Sequence, residues 1–443
     1  MIVMKFGGSS LANGERIRCV VDLVKPELPR KPVLVVSAMG DTTDHLLEAA
    51  DMALKTGTVS VERIAELHKN TIRELALDMS AITPLLAELQ VLLVGISLVK
   101  ELTGKTRDYL VSFGERLSAR MVAAYGQSMG VKAQAVDAWD GGFVSDSRFT
   151  AAELIPESWA TIPEKLMPLI KGGIVPVLTG FIAKDREGAI TTLGRGGSDL
   201  SATMVAAACQ AEEVQVWKDV DGILTADPRI VQDARPVEAV TYEEAAELAY
   251  FGAQVLHPRA MQPCMKTKTP VWVKNSYNPG APGTRIVAER EKMGPVLGIT
   301  SRTQVTLVDI VSTRMLGQPG FLTELFADFA QYGISVDMVA TSEVSVSVTL
   351  DASYNLEPLK KDLSRIAEVE IKTGKAIVTL IGDVNRSSEI LHQAFGVCAA
   401  LGIPVQMVSS GASKVNISFI VNDTQRAEVV QGLHKHFFGV YAS

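Results

Sequence analysis

The chain has 443 residues, 47% of them hydrophobic and 21% charged, and a formal net charge of -7 at pH 7. That length exceeds one ordinary domain and implies two or three, with the composition of a globular and not a disordered protein. The acidic balance argues against a nucleic-acid partner, because phosphate backbones select clustered Lys and Arg, and no apolar run reaches the length of a membrane span.

Met1 to Phe6 reads as an apolar strand that begins at once, with no stretch typical of a signal or transit peptide, so a soluble cytoplasmic protein is expected. The strand breaks at Gly7-Gly8-Ser9-Ser10 and leads toward a helix carrying Ile17, Val20, Val21 and Val24 at helical spacing. A strand that turns through glycines into a helix gathers unpaired backbone N–H groups and suits a phosphate. Lys5, just before the turn, could reach a transferred phosphoryl group, although alone it reads as a solvated lysine at a strand end.

The layout returns at Pro32 to Val36, a continuous apolar run of the kind buried in a parallel sheet, followed by Ser37, Gly40 and Thr43 and a helix from about Asp44 to Lys55. Residues 58–103 read as helices. Gly104-Lys105-Thr106 imitates the end of a P-loop, but Val99 stands where that motif needs its first glycine and no strand precedes it. Tyr109 to Met121 is a helix whose Glu115 is a candidate partner for a substrate ammonium, against the plainer reading as a surface acid.

A strand over Ile174 to Leu178 leads to Thr191–Asp199 (TTLGRGGSD) and the small apolar helix Leu200 to Ala211. Glycines let a backbone approach a polyphosphate closely, and Arg195 adds a planar, permanently charged fork for a carboxylate or phosphate. Val214 to Lys218 is a strand, and the loop to Arg229 offers Asp219 and an apolar wall for a nucleotide. Glu243 to Gln254 reads as a helix and Pro270 to Asn275 as a strand. Cys19, Cys209, Cys264 and Cys398 contain no C-x-x-C pair and are expected as buried, reduced thiols; the histidines lack ligand spacing, so no structural metal is expected.

Beyond the Pro/Gly loop Asn278–Gly283 the chain repeats itself: Gly333 to Val339 (GISVDMV) recurs as Gly402 to Val408 (GIPVQMV), a shift of 402 − 333 = 69 residues. An alternating strand follows each copy, Val344–Leu350 and Val415–Val421, giving two small βαβ-type modules. At the same offset Asp337 becomes Gln406, Ser335 becomes Pro404 and Glu343 becomes Ala412. Only the first copy keeps two acids and a hydroxyl, so it is the expected binder if the modules take a cationic amino acid.

Lys5–Ser10 (KFGGSS), Ser112–Glu115 (SFGE), Thr192–Asp199 (TLGRGGSD), Trp217–Val220 (WKDV) and Phe251–Pro258 (FGAQVLHP), in that order along the chain, resemble the aspartokinases of the amino-acid kinase family. The repeat is similar to the tandem ACT domains of that family, and Ala340–Val346 after Ser335–Asp337 is most like its lysine-sensitive branch. The resemblance implies a three-layer αβα domain with a mostly parallel sheet over 1–295, then two ferredoxin-like α+β ACT domains over 300–372, completed in part by C-terminal residues, and 374–443. It implies phosphorylation of the β-carboxylate of L-aspartate by Mg-ATP, the first step toward lysine, threonine and methionine.

By the same resemblance Arg195 clamps a substrate carboxylate, Glu115 pairs with the α-ammonium, and Ser37, Thr43 and Ser198 border the substrate. Lys5, Gly7, Gly8, Gly196 and Gly197 hold the phosphates, with Lys218, Asp219, Arg229 and Gln254 on the nucleotide side. Asp199 orients the cations or a metal-bound water, and Mg²⁺ is held mainly by ATP. L-Lysine is expected to inhibit through Met315, Gly320, Phe321, Leu322, Ser335, Val336, Asp337, Thr341, Ser342 and Glu343. A homodimer through the ACT domains is implied, with a tetramer as a further option. The chain departs from the pattern at Gln254, Lys218 and Leu224, where relatives carry Lys, Thr and Tyr. A glutamate or acetylglutamate kinase and a catalytically dead amino-acid sensor are the competing readings.

Overall fold

A computed structural model describes residues 1–250, 256–291, 294–411 and 413–439. The chain divides into two compact units, Met1–Ile223 with Glu238–Tyr242 and Val255–Arg290, and Leu224–Val237 with Glu243–Gln254 and Glu291–Ser443.

In chain order come β1 (Ile2–Phe6), α1 (Gly14–Val24), β2 (Pro32–Val36), α2 (Thr42–Thr56), α3 (Glu62–Glu74), α4 (Thr83–Val99) and α5 (Gly104–Ser128). They are followed by β3 (Ala133–Val136), β4 (Val144–Ser145), α6 (Ser158–Lys171), β5 (Val175–Thr179), β6 (Ile182–Asp185), β7 (Ile190–Thr192), α7 (Gly197–Ala208), β8 (Glu213–Lys218) and β9 (Ala239–Thr241). Next are α8 (Tyr242–Tyr250), α9 (Pro258–Thr267), β10 (Val271–Asn275) and β11 (Thr284–Val287).

The first unit is built on an eight-stranded sheet in the order β3-β5-β2-β1-β8-β10-β11-β9, parallel except where β10 meets β11, with β4, β6 and β7 in a small second sheet. β1 and β2 are buried at every position, as a parallel strand covered on both faces must be. The register sets Phe6 beside Val36 and Trp217, and Val36 beside Thr179, so the strands end together and the loops after them share one edge of the sheet. Ligands of open α/β sheets sit at such an edge.

Three local details differ from the sequence reading. A turn of 3₁₀ helix over Ser9–Leu11 separates the Gly7-Gly8 turn from α1, whose start is capped by the Asn13 side chain accepting from the Arg16 N–H. α7 starts at Gly197, so Ser198 and Asp199 occupy its first turn. Gly104 opens α5 directly behind its cap Thr103, with no strand before it. Of the free cysteines, Cys264 and Cys398 are buried, whereas Cys19 and Cys209 are partly exposed, contrary to expectation.

The second unit carries β12 (Val296–Val311), α10 (Phe321–Gln331), β13 (Val339–Thr341), β14 (Ser345–Asp351), α11 (Glu357–Leu363), β15 (Glu368–Gly382), α12 (Ser387–Ala400), β16 (Val408–Ser410), β17 (Asn416–Asn422) and α13 (Arg426–Phe438). Its sheet runs β13-β14-β12-β15-β17-β16. β12 and β15 pair over almost their whole length and each serves both modules, with an irregular register near Gln304 and Gly374, both at positive φ, where the modules join. The repeat is visible in the core: Met338 and its counterpart Met407 share one cluster with Val305, Leu307, Ile377 and Ile420. Residues 224–237 belong to this unit. Ala226 and Val231 enter the core of the second module, and Thr225 Oγ1 lies 2.9 Å from His434 Nε2 on α13. Among the described residues no helix is long and apolar enough to cross a membrane.

Candidate active site

A cavity of about 710 Å³ opens at the strand-end edge of the first unit. Lys5 and Gly8 line it from the turn after β1, and Ser37 and Thr43 from the loop after β2 and the start of α2. Glu115 enters from α5, and Arg195, Gly196, Gly197, Ser198 and Asp199 from the third glycine turn. The three turns singled out in the sequence thus meet around one space.

Two of its lining residues, Lys5 and Asp199, are paired, and Lys218 joins them from the end of β8. Lys5 Nζ lies 2.7 Å from Asp199 Oδ1, and Lys218 Nζ 3.6 Å from Asp199 Oδ2. Lys5 is 6% exposed, so it is not the solvated lysine that its position in the sequence first suggests. Burial pushes the Asp199 carboxyl up, but Lys5 and Lys218 outweigh it and hold the group below the usual carboxylate range. Burial draws the Lys218 ammonium below its ordinary value, with Asp199 pulling the other way. Lys5 and Lys218 share the one carboxylate of Asp199, and Lys5 lines the cavity, where an ammonium could meet a phosphoryl group.

Glu115 is 3% exposed. Its Oε1 accepts from the Ala38 N–H at 3.1 Å, and its buried Oε2 has no hydrogen-bond partner among the described residues. Burial pushes its carboxyl up to about 8. A buried carboxylate oxygen without a donor is costly, and an ammonium arriving in the cavity would remove that cost.

The glycines act through space. A Cβ on Gly8 would lie 2.8 Å from the Ala38 carbonyl, so the first turn can dock on the second only without a side chain. Gly196 has φ +75, and a Cβ there would lie 2.6 Å from His257 Cβ; one on Gly197 would meet Phe181 at 2.8 Å. The Gly7 N–H is committed to the Trp217 carbonyl at 3.2 Å, and Gly7, unlike Gly8, does not line the cavity. Arg195 is exposed at the cavity and makes no ion pair among the described residues.

The remaining nucleotide-side candidates are not all brought to this cavity. Asp219 is exposed at the end of β8. Arg229 lies in the second unit, its side chain 84% exposed and paired with Asp227 at 2.7 Å. Gln254 lies outside the described residues, as do residues 251–253 and 255 of the same motif.

The effector candidates all lie on the first module. Gly320, at φ +95, precedes α10, whose first residues are Phe321, buried, and Leu322, exposed. Met315 and Val336 pack against the module's core. Ser335, Thr341, Ser342 and Glu343 are exposed. Asp337 Oδ2 is paired with Arg302 Nη1 at 2.9 Å, whereas its counterpart Gln406 donates to Asn422 Oδ1 at 3.1 Å.

Thr192, from the third glycine turn, also lines the cavity, as do Asp108, Thr150 and Phe181, to which the sequence reading gave no role. Only Asp108 left a signal there, since it lies seven residues before Glu115 and shares its helix face.

The amino acid kinase family model matches residues 1–275 and the ACT domain model residues 308–357 and 378–437. The chain is 50% identical to aspartokinase 1, chloroplastic, of Arabidopsis thaliana, over 98% of this chain and 80% of that protein. It is 34% identical to the lysine-sensitive aspartokinase 3 of Escherichia coli over 99% of both. Among solved structures it is similar to E. coli aspartokinase III in complex with aspartate and ADP (R-state), with a TM-score of 0.82, 32% identity, and 99% and 100% of the two chains covered. The same enzyme in complex with lysine and aspartate (T-state) gives a TM-score of 0.78 at 31% identity, with 99% of both chains covered. Relatives matched over nearly the whole chain and both domain types agree, and the chain belongs to the aspartokinase family.

Proposed function

We propose that the first unit transfers the γ-phosphoryl group of Mg-ATP to the β-carboxylate of L-aspartate, giving 4-phospho-L-aspartate, and that L-lysine inhibits this step through the first ACT module. The observation that carries the reading is one cavity lined by Lys5 and Asp199, with Lys218 paired to Asp199 beside it, and by Glu115 and Arg195, whose Oε2 and guanidinium have no hydrogen-bond partner and no ion pair, respectively, among the described residues. In the cell this reaction would be the first step toward lysine, threonine and methionine, in the cytoplasm. The Arabidopsis relatives are named chloroplastic, so fractionation of the native cells is the direct check.

An aspartate side chain ionises near pH 4 and arrives as a nucleophile that needs no general base. The obstacle is the meeting of two anions, worth about 4 kcal/mol for unit charges 4 Å apart in a protein-like dielectric. Lys5 and Lys218 offset that repulsion and stabilise the charge spread over the transferred group. Asp199 holds both ammonium groups in place. With its two oxygens turned to lysines it suits the outer sphere of a metal better than direct ligation. Mg²⁺, held by the phosphate oxygens of ATP, would neutralise part of their charge. Arg195 would take one substrate carboxylate in a bidentate grip and Glu115 the α-ammonium.

An N-acetylated amino acid offers no ammonium to Glu115, which disfavours acetylglutamate, and the intact cationic cluster disfavours a dead sensor. ADP release measured with aspartate, glutamate and N-acetylglutamate tests the assignment: turnover with glutamate alone would end it. Lysine added to the same assay tests the effector. Light scattering with and without lysine tests the homodimer through the ACT modules and any tetramer.

A further inference from the structure

Asp108 precedes Glu115 by two turns of α5 and faces the same cavity. It is 1% exposed and makes no ion pair among the described residues. Its charge is met by three donors. Oδ2 accepts from the N–H groups of Thr150 at 2.8 Å and Thr192 at 2.9 Å, and Oδ1 from the Thr192 hydroxyl at 2.8 Å. A carboxylate kept in so dry a place serves whatever its donors belong to.

Those donors sit on two segments that wall the cavity. Ala152 N donates to Thr192 O at 2.8 Å, so the segments run side by side, and Arg259 ties them from α9 through Ala152 O at 3.1 Å and Leu193 O at 3.4 Å. Thr150 has φ +72, a left-handed conformation that β-branched residues avoid, and Phe181, also lining the cavity, has φ +68. Strain of this kind persists only where neighbours enforce it, and it gathers at functional sites. Arg195 follows Thr192 by three residues, with Gly194 and Gly196 at φ +71 and +75 on either side. Glycines on both sides leave the arginine's direction to be set by where Thr192 is anchored.

We infer that Asp108 is a positioning residue for substrate: by gathering Thr150 and Thr192 it fixes the direction from which Arg195 meets a carboxylate of aspartate. This rests on the reading of Arg195 as the carboxylate clamp.

Asp108→Asn keeps the shape but turns an NH₂ group toward N–H donors. In steady-state assays of the full-length enzyme, KM for aspartate should rise at least tenfold while KM for ATP stays within twofold and far-ultraviolet circular dichroism is unchanged. Adding Thr150→Gly, which relieves the enforced φ, should recover at least threefold of the loss. If Asp108→Asn does not fold, Thr192→Val carries the test, with about a threefold rise confined to KM for aspartate. The inference is overturned if KM for aspartate is unchanged, if both KM values rise together, or if the double variant is no better than the single. Arg195→Lys, measured in parallel, separates the two claims. If it raises KM for aspartate and Asp108→Asn does not, only the role of Asp108 fails; if it leaves that KM unchanged, the clamp fails and the inference with it.

Discussion

Replacing Glu115 with Gln should make the empty protein more stable and the enzyme worse. In the folded chain burial pushes the Glu115 carboxyl up to about 8, against an ordinary value of 4.5. At pH 7.5 the unfolded chain carries the group ionised while the folded chain still keeps its proton. That difference of three pH units costs about 4 kcal/mol of stability. Because the folded value is the raised one, this penalty is absent below pH 4.5, grows as pH rises to about 8, and is constant above it. Glutamine keeps the acceptor for the Ala38 N–H and has nothing to ionise, so the variant should unfold at a temperature several degrees higher at pH 7.5 and lose that part of the pH slope. Substrate reverses the balance. An α-ammonium favours the ionised form, so aspartate binding below pH 8 should release close to one proton, about 0.9 at pH 7. KM for aspartate at pH 7 should then stand about elevenfold above its limit at high pH. Steady-state kinetics from pH 6 to 9, with calorimetric titration in buffers of different ionisation heat, measure both. A flat KM without proton release, or a Gln variant less stable than the parent at pH 7.5, would refute the reasoning.

Other outcomes follow from the same geometry. Asp199→Asn leaves Lys5 and Lys218 buried without their counter-ion and should lower kcat by about 10²- to 10³-fold, the scale of a lost electrostatic group; a kcat within threefold of the parent would exclude the organising role. Gly196→Ala forces a Cβ at φ +75 against His257 and should destabilise the protein by at least about 1 kcal/mol with loss of activity, read by urea unfolding and turnover. His68 is fully buried with Nδ1 against the Ile64 carbonyl, and burial lowers its value to about 4. Its folded value being the depressed one, stability should fall as pH drops from about 6.5 toward 4, by up to about 3 kcal/mol, and His68→Gln should remove that slope in urea titrations at pH 7 and pH 5. Asp337→Ala and Glu343→Ala should each weaken lysine inhibition while sparing lysine-free turnover; unchanged inhibition in both would refute the effector assignment.

What the sequence revealed depended on how local the physics is. The glycine turns declare themselves because a close backbone approach and positive φ need glycine on the spot, as at Gly8 and Gly196. The repeat shows itself because core methionines recur at equal intervals. Glu115 and Lys5 are harder, since a lone acid on a helix and a lysine at a strand end look like surface residues until the register of β1 and the packing of α5 bury them. Asp108 left only its spacing from Glu115, and Thr150 and Phe181 nothing: their importance lies in hydrogen bonds between residues 42 and 84 positions apart, and in backbone angles that a β-branched or aromatic letter does not advertise. The division near Ile223 was hidden for a similar reason, because Thr225 meets its partner on the last helix, 209 residues downstream.

The two long strands β12 and β15 have a consequence for how the regulatory half can change. A chain cut short after β15 would strip that strand of β17 and leave that edge of the ribbon open to aggregation. The pair should therefore melt as one block, with amide exchange slowest along β12 and β15 in both halves. It should also be inherited as one block, because neither half can be swapped for a foreign copy without recutting the ribbons they share.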